Sequence, residues 1–478
     1  MPFTTPDRPR PRAVLILHGV LVFLLVATGL LDPVLQFDRE HMLYPACIAV
    51  STLFVWILAS WYWLRRTMFE PYPLFMFSAG MFNAGQAFLE VLGVNVNGIL
   101  GGRVSSEILT PALYQVAVSV AFLHLGALAA VARRGSTLAG DNGMARQRAT
   151  RLAGWWLLAV AIVPTIILFR SSFTLVMDYG YMSLFRNLNT LSTALALSAF
   201  FVPGIIFALA GSADRRGAQI VCLLATAIYA GVYLFLGARG SAAMVCIAVA
   251  WVFDRAIRPI PRTFIVALAL VALVIFPLVR ETRGTGGRYR MSLDDQLQTL
   301  SNLENPVSSS VSEMGHSLVT VTHTLSLVPD VRPFDYGASY FYALTAVVPN
   351  LGWAIHPSIE HGLLSEWLVK TVDPVVAAAG GGLGFSFIAE AYLNFGWFGG
   401  PMWLAMVGFA LSWLFLKADS ADPARLALAA SFLSFFFVFA RGEAAIVARG
   451  LVWYALLPYL LAAVLTTRKR ITPEGQRL

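Results

Sequence analysis

Five arginines lie in short polar stretches beside long apolar runs, where they could bind an anionic group. An arginine at a helix end stays ionised, and its planar guanidinium offers a fork of donors that matches phosphate better than the point charge of lysine. The alternative for each is an ion pair with a nearby acid, such as Glu281 or Glu443, or extension to lipid headgroups. The five are Arg239 in GARGS, Arg280 and Arg283 in VRETRG, and Arg441 and Arg449 in RGEAAIVARG.

Three side chains are candidates for accepting a proton near such a group. Glu313 and His316 stand three residues apart in SEMGHSL, so in a helix they share one face, although the same pattern is also typical of a solvated amphipathic turn. Glu390 lies in the largely apolar stretch GFSFIAEAYLNFG. A buried carboxylate is costly unless it is paired or used, so Glu390 is either functional or an ion-pair partner of one of the five arginines.

Other chemistry is not indicated by the sequence. His323, His356 and His361 match no zinc-binding spacing, and the adjacent Asp294 and Asp295 do not form a DxD motif. The three cysteines lie in apolar runs, without a CxxC pattern or a disulfide framework. The glycine cluster at 380–384 lacks the strand and the Lys or Ser of a nucleotide-binding loop. We therefore predict that the protein needs no metal and no other cofactor.

Composition predicts the scaffold that must position these residues. The 478 residues are 58% apolar and 13% charged, which is typical of a polytopic membrane protein and excludes a soluble one. A bilayer core of about 30 Å needs roughly 20 apolar residues per helix, and the first run is too long for a signal-peptide core. The twelve such runs are approximately 13–31, 44–64, 72–92, 110–132, 152–169, 190–211, 218–236, 241–254, 263–279, 397–416, 426–440 and 450–466.

The charge distribution predicts the topology. With both termini in the cytoplasm, the cytoplasmic segments collect 21 of the 34 basic residues and only 8 of the 26 acidic residues. This bias follows the positive-inside rule at every loop, and it accounts for the net charge of +8 without nucleic-acid binding. The outer side then holds one large segment of 117 residues, at 280–396.

The sequence thus predicts an all-α polytopic membrane protein with three parts. Residues 1–279 form transmembrane helices 1–9 with short loops, 280–396 form the large outer loop, and 397–478 form helices 10–12 and a cytoplasmic tail. Two pieces of the loop, Tyr340 to Ile355 and Gly384 to Phe398, are apolar enough to be interfacial or re-entrant. On the third run, Asn83, Gln86 and Glu90 form one polar stripe, for which interhelical hydrogen bonding is the simplest account.

Several segments resemble the Wzy-type O-antigen and oligosaccharide repeat-unit polymerases. They span roughly the C-terminal half, whereas the N-terminal helices contribute topology to the resemblance. The segments are LGARGS at 236–241, EMG at 313–315, VPDVRPFDYGASY at 328–340, VVPN at 347–350, GLGFSFIAEAYLNFGWFGG at 382–400 and RGEAAIVARGLVW at 441–453.

The resemblance implies an inverting, class C-like glycosyltransferase at the periplasmic face of the bacterial inner membrane. Its substrate would be an undecaprenyl-diphosphate-linked oligosaccharide in the membrane lipid, with a chain-length regulator and a flippase of the same pathway as potential partners. The five arginines would bind the diphosphates, and Glu313, Glu390 or His316 would accept the proton. Three tyrosines would contact sugars or anchor the loop at the interface: Tyr336, Tyr340 and Tyr392.

Three other classes compete with this interpretation. An O-antigen ligase would share the large loop and the arginines, with His316 as its base. A transporter or lipid flippase would place charges or broken helices near the bilayer midplane, whereas the charges here gather at the outer rim. A scaffold for polysaccharide export would need no clustered arginines.

Overall fold

The computed structural model of the chain describes residues 10–35, 38–95, 98, 100, 104–133, 143–180, 192–281, 305–348, 352–378, 380–418 and 421–471. All the secondary structure within these ranges is helical, which confirms the predicted all-α fold. Arg283 and the predicted helical stretch Leu293 to Leu303 lie outside the described residues, and for Arg280 only the helical backbone is described.

The helices follow the apolar runs closely at the N-terminal end and are shorter in the segment 305–378. In chain order they are α1 (Pro11–Leu35), α2 (Arg39–Arg65), α3 (Pro71–Val91), α4 (Ser106–Ala132), α5 (Gly143–Tyr179), α6 (Ser192–Ser198), α7 (Phe201–Ala210), α8 (Arg216–Phe235), α9 (Arg239–Ala256), α10 (Arg262–Glu281), α11 (Pro306–Gly315), α12 (Leu318–Leu327), α13 (Ala338–Thr345), α14 (Pro357–His361), α15 (Leu364–Val372), α16 (Pro374–Ala378), α17 (Phe387–Leu416), α18 (Pro423–Leu433), α19 (Phe436–Ala440), α20 (Ala444–Gly450), a π-helical turn (Leu451–Leu456) and α21 (Leu457–Ile471).

Eight helical spans in the described part of the chain are long and apolar enough to cross a membrane. They coincide with eight of the twelve predicted runs, and the other four runs are also helical. Among those four, α3 carries the polar stripe of Asn83, Gln86 and Glu90. The chain is therefore a polytopic membrane protein, while the count of twelve spans stays a prediction.

The chain divides into two compact units, of which the first comprises Met1–Ser136, Val311–Leu416 and Val438–Ala448. Helix α4 is its centre, because α1, α2 and α17 all pack against it. Polar contacts fix these helices: His18 Nε2 lies 2.8 Å from the carbonyl oxygen of Ala121, and Ser60 Oγ lies 2.9 Å from His124 Nε2. Such contacts satisfy buried polar groups and so define the register between helices.

Helices α4 and α17 approach at two glycines. The position that a Cβ atom would occupy on Gly126 overlaps the carbonyl oxygen of Ala405, and that on Gly408 overlaps the carbonyl oxygen of Leu123. Small residues at membrane helix interfaces allow this backbone approach, which replaces side-chain interdigitation by direct backbone contact.

A side chain at Gly408 should therefore force the two helices apart. We expect Gly408→Ala to lower the free energy of unfolding by about 1–3 kcal/mol, the usual cost of overpacking a close contact. Thermal unfolding of the detergent-solubilised protein measures it. Gly19→Ala on α1, where nothing lies within 4 Å of the added methyl group, is the matched control. Equal melting temperatures for the two variants would contradict the close packing.

Helix α17 contains a sharp bend at Gly396, where φ is 69° and ψ is −163°. The part after the bend folds back on the part before it, because the position of a Cβ atom on Gly400 is 2.9 Å from the carbonyl oxygen of Ala391. Nine residues of a straight helix would separate those atoms by about 13 Å. We call Phe387–Phe395 the short arm of α17. The sequence predicts a re-entrant or interfacial piece over this stretch, and that assignment stays a prediction.

The start of the short arm packs deep against α3. The rings of Phe75 and Phe387 have centroids 5.7 Å apart, and Ser386 Oγ donates to Asn83 Oδ1 at 2.6 Å. Asn83 and Gln86 thus use the polar stripe of α3 for interhelical hydrogen bonds, Gln86 Nε2 donating to the carbonyl oxygen of Ser312 at 2.7 Å. For these two residues the simplest account of the stripe agrees with the structure, whereas Glu90 Oε2 accepts a hydrogen bond from Asn95 Nδ2, five residues along the chain, at 2.9 Å.

The second unit comprises Thr137–Ser310, Lys417–Phe437 and Arg449–Leu478. Helix α5 is its longest element, and α7 packs along it with Gly154 against the backbone of Ala208. An ion pair of 2.7 Å joins Arg146 Nε to Asp422 Oδ1 near the start of α18. Three of the five arginines singled out above belong to the described part of this unit: Arg239, Arg280 and Arg449.

Candidate active site

Two buried carboxylates of the first unit, Glu390 and Glu443, join four segments into one hydrogen-bonded assembly. We call this assembly the carboxylate network. Its segments are residues 332–342, 361–367, 386–394 and 441–444. It unites the Glu390 stretch, the YGASY stretch and the start of RGEAAIVARG, which are far apart in the sequence.

Glu390 lies on the short arm of α17, and its residue is 2% exposed. Its Oε1 accepts a hydrogen bond from Ser339 Oγ at 2.8 Å, and its Oε2 accepts one from the backbone amide of Ala444 at 2.7 Å. Both donors are uncharged, so within the described part of the chain hydrogen bonds rather than an ion pair hold this carboxylate. Glu390 therefore ties α13 and α20 to the short arm.

Asn394, one turn after Glu390, extends the same contact. Its Nδ2 donates to Ser339 Oγ at 2.8 Å, and its Oδ1 accepts from the backbone amide of Gly337 at 2.8 Å. The amides of Asp335 and Tyr336 donate to the carbonyl oxygens of Leu393 and Asn394 at 3.0 and 3.1 Å. Main-chain and side-chain hydrogen bonds thus hold the DYGAS stretch, residues 335–339, against the short arm.

Glu443 ties the start of α15 to the turn that contains Arg441, and it is also only 2% exposed. One carboxylate oxygen accepts from the amide of Leu364 at 2.7 Å, and the other accepts from the amide and the hydroxyl of Ser365 at 3.0 and 2.8 Å. A carboxylate at a helix N-terminus satisfies amides that have no partner within the helix and complements the helix dipole. Burial raises the pKa of the Glu443 carboxyl, and the bonds from Ser365 and Leu364 oppose that rise.

The raised pKa of Glu443 predicts a pH dependence of stability. A carboxyl that binds its proton more tightly in the folded state stabilises the fold at low pH, and that contribution is lost as the pH rises from about 4.3 through the raised pKa. We therefore expect the melting temperature of Glu443→Gln to fall less steeply with rising pH across this range than that of the wild-type protein. The melting temperature of the variant should also be lower at every pH. Parallel curves for the two proteins, measured from pH 4 upward, would contradict a raised pKa.

Arg441 stands in the turn that the two carboxylates hold. Asn83 Nδ2 donates to the carbonyl oxygen of Ala440 at 3.1 Å, directly before Arg441, while Glu443 and Ala444, which form the other hydrogen bonds of the turn, lie two and three residues after it. The residue is exposed, with its guanidinium carbon 5.4 Å from the ring centroid of Phe82. Its backbone is thus fixed while its charge stays accessible.

The glycine cluster before the short arm borders the same guanidinium. Gly384 has φ of +74°, and a Cβ atom there would be 3.4 Å from Arg441 Nη2. The sequence predicts this cluster to be a flexible entry to the Glu390 stretch. In the structure its last glycine also leaves the approach to Arg441 free of side chain.

A second cluster at the network was not identified from the sequence as a site. Arg332 forms a fork on Asp335, with Nη2 at 2.9 and 3.0 Å from the two carboxylate oxygens, and its guanidinium carbon lies 4.7 Å from the ring centroid of Trp367. His361 Nε2 lies 3.8 Å from Asp335 Oδ2, and the His361 ring stacks on Tyr342 at 4.4 Å. The sequence signal for the Arg332–Asp335 ion pair was their spacing of three residues in VRPFD. No sequence signal indicated His361, because its partner Asp335 is 26 residues away.

The remaining sequence-predicted residues of the first unit occupy different surroundings. Glu313 is half-buried near the end of α11, and His316 is exposed just after it, with Nδ1 at 3.0 Å from the carbonyl oxygen of Ser312. Tyr336 is 82% exposed, whereas Tyr392 is buried and donates its hydroxyl to the carbonyl oxygen of Val328 at 3.1 Å. Tyr340 packs against Phe395 and Trp403, and its burial raises the pKa of its hydroxyl.

The three candidate arginines in the described part of the second unit stand at helix ends. Arg239 is half-buried at the start of α9, and Arg449 is exposed near the end of α20. Arg280 is the penultimate residue of α10. Helix-end positions keep the charge near polar surroundings, which suits an interfacial anion site.

A model of the family described as O-antigen polysaccharide polymerase Wzy matches residues 14–470, nearly the whole chain. The chain belongs to the Wzy family. The resemblance found in the C-terminal half is thereby confirmed and extends over the N-terminal helices. Neither a curated protein nor a solved structure matches the chain.

Membership in the Wzy family gives the site its chemical context. The family polymerises O-antigen repeat units that are carried on membrane lipid. Such a reaction needs a binding site for a lipid-linked anion, a site for sugars and a proton acceptor. The carboxylate network places an accessible arginine, exposed aromatic surface and titratable side chains on connected segments.

Proposed function

We propose that the protein polymerises undecaprenyl-diphosphate-linked oligosaccharide repeat units into O-antigen or exopolysaccharide at the periplasmic face of the bacterial inner membrane. The hydroxyl of an incoming lipid-linked unit attacks the anomeric carbon of the growing chain. The bond from that carbon to the diphosphate oxygen breaks, so the configuration inverts and undecaprenyl diphosphate leaves. The observation that carries the proposal is the family match over residues 14–470, joined to an accessible arginine in a turn held by two buried carboxylates.

Arginines bind the diphosphates in this proposal. Negative charge grows on the leaving diphosphate in the transition state, and donors fixed in advance stabilise it without reorganisation. Arg441 meets that condition because Asn83, Glu390 and Glu443 hold its turn on both sides. The other members of the set are Arg239, Arg280, Arg283 and Arg449. A guanidinium supplies this charge without a metal ion.

The charge bias of the loops supports the periplasmic placement. In the predicted topology the five arginines lie on the less basic side of the membrane, opposite the segments that hold 21 of the 34 basic residues. The partners on that side are the lipid-linked oligosaccharide itself and a chain-length regulator and flippase of the same pathway.

The proton acceptors indicated by the sequence are Glu313, Glu390 and His316. Both oxygens of Glu390 already accept hydrogen bonds that connect segments, which supports a positioning role for it. Among the tyrosines, the exposed ring of Tyr336 is the best placed to contact sugar. Tyr340 and Tyr392 support the segments that carry it.

The proposal is tested by incubating the purified, detergent-solubilised protein with a lipid-diphosphate-linked repeat unit, without nucleotide sugar and with a chelator present. We expect a ladder of products spaced by one repeat unit, together with release of undecaprenyl diphosphate. A single unchanged band from folded protein and intact substrate would contradict polymerase activity and would favour a ligase lacking its acceptor or a flippase.

A further inference from the structure

We propose that His361 is the general base of the polymerisation, with Nδ1 accepting the proton of the attacking sugar hydroxyl and Asp335 orienting the imidazole through Nε2. The inference depends on the proposed function, because it names the proton acceptor of that reaction. Neither residue was among the three acceptors indicated by the sequence.

The two ring nitrogens of His361 have different surroundings. Nε2 is buried and lies 3.8 Å from Asp335 Oδ2, without a hydrogen bond among the described residues. Nδ1 likewise has no hydrogen bond within the described ranges, and it is not among the fully buried atoms. A carboxylate facing Nε2 favours the tautomer that carries the proton there, which leaves the Nδ1 lone pair free. Catalytic hydrogen bonds are often long before substrate binds and tighten afterwards.

The groups around His361 hold the ring and set its charge. Tyr342 stacks on it with a centroid distance of 4.4 Å, and the side chain retains 17% exposure. Burial lowers the pKa of His361, the Arg332 charge lowers it further, and the Asp335 charge opposes both. The imidazole is therefore neutral near pH 7 and able to accept a proton, after which Asp335 stabilises the imidazolium.

Asp335 is itself fixed for this task. The Arg332 fork binds both of its oxygens, and its side chain is 10% exposed. Its backbone amide donates to the carbonyl oxygen of Leu393 on the short arm of α17. The arrangement is similar to the one by which hydrolases orient a histidine base, with the two ring nitrogens exchanged and with the carboxylate 3.8 Å from Nε2 rather than at hydrogen-bond distance.

The network also links His361 to the proposed diphosphate site. His361 ends α14, and three residues later Leu364 begins α15, whose first amides bind Glu443. Glu443 is two residues from Arg441. The base and the arginine are thus carried by segments that one buried carboxylate joins.

The step balances within the proposed reaction. The acceptor hydroxyl oxygen forms a bond to the anomeric carbon while that carbon's bond to the diphosphate oxygen breaks. The hydroxyl proton moves to Nδ1 of His361, and the bonding electrons leave with undecaprenyl diphosphate. His361 later returns the proton to water.

The test compares His361→Gln with His323→Gln in the ladder assay, at saturating substrate and with melting temperatures matched. His323 is a half-buried histidine of α12, and burial lowers its pKa as it does that of His361. Removal of a general base typically costs about 10²–10⁴-fold, so we expect at least a 10²-fold lower kcat in His361→Gln and little change in His323→Gln. Equal kcat for His361→Gln and the wild-type protein would overturn the inference.

Two further readouts separate a base from a merely structural histidine. In His361→Ala, added imidazole should restore turnover, with a pH profile that follows imidazole in solution. In Asp335→Asn, the inflection of kcat/KM against pH should move to lower pH, because Asp335 raises the pKa of His361. Low activity in His361→Ala without rescue, with an unmoved inflection in Asp335→Asn, would assign a structural role. Absence of a ladder from the wild-type protein would instead contradict the proposed function, and with it this inference.

Discussion

Replacing Arg441 with Ala should abolish polymer formation while leaving the protein inserted in the membrane. The side chain is exposed and stacked on Phe82, so its loss removes charge from the site without opening the core. Loss of one preorganised donor to a developing negative charge typically costs about 10²–10³-fold in kcat. We expect that loss in the ladder assay, with a nearly unchanged melting temperature.

Two variants sharpen this prediction. Arg441→Lys keeps the charge but loses the fork, so it should recover only part of the activity. Arg133→Ala is the matched control, because Arg133 also lies over a ring, 5.7 Å from the centroid of Phe409, at the end of α4. Wild-type turnover in Arg441→Ala, or an equal loss in Arg133→Ala, would contradict a diphosphate-binding role for Arg441.

Glu390→Ala should have the largest effect on stability. It leaves the Ser339 hydroxyl and the Ala444 amide without their buried acceptor, and each such loss costs about 1–3 kcal/mol. We therefore expect the free energy of unfolding to fall by about 2–6 kcal/mol, with a lower melting temperature. Because the Arg441 turn loses one of its ties, turnover should fall at least tenfold even at temperatures where the variant is folded.

Glu390→Gln separates the two parts of this role. The amide oxygen can still accept from Ser339, but its NH2 group would face the Ala444 amide, so the tie to α20 is lost first. Glu107→Ala, an exposed carboxylate at the start of α4, is the control for loss of a negative charge. A melting temperature equal to that of the wild-type protein for Glu390→Ala would show that the carboxylate network does not hold these segments together.

The helices of this protein were predictable because the thickness of the bilayer sets the number of consecutive apolar residues that a spanning helix needs. The same logic finds Glu390, since a carboxylate in an apolar stretch must be paired or used. Its partners were not predictable, because one is a backbone amide 54 residues away and carries no sequence signal. The partners of Glu443 were not predictable either. Its neighbour Arg441 suggested an ion pair, whereas the Glu443 carboxylate accepts hydrogen bonds from the first amides of α15.

The bend at Gly396 could be inferred only in part. The apolar stretch from Gly384 to Phe398 indicates a re-entrant or interfacial piece, but a glycine within an apolar run does not by itself specify a reversal. The reversal depends on Gly400 approaching Ala391 and on the short arm finding Phe75 and Asn83 of α3. His361 was missed for the same reason, since tertiary contact alone brings it to Asp335.

Binding of the lipid diphosphate at the carboxylate network can be measured by photo-crosslinking. The probe is an undecaprenyl diphosphate analogue that carries a diazirine beside the diphosphate, and the labelled peptides are then mapped. We expect labelling of the peptides around Gly384 and Arg441, and loss of that labelling in Arg441→Ala. Labelling confined to the segment 133–151, or unchanged by that substitution, would contradict binding at the carboxylate network.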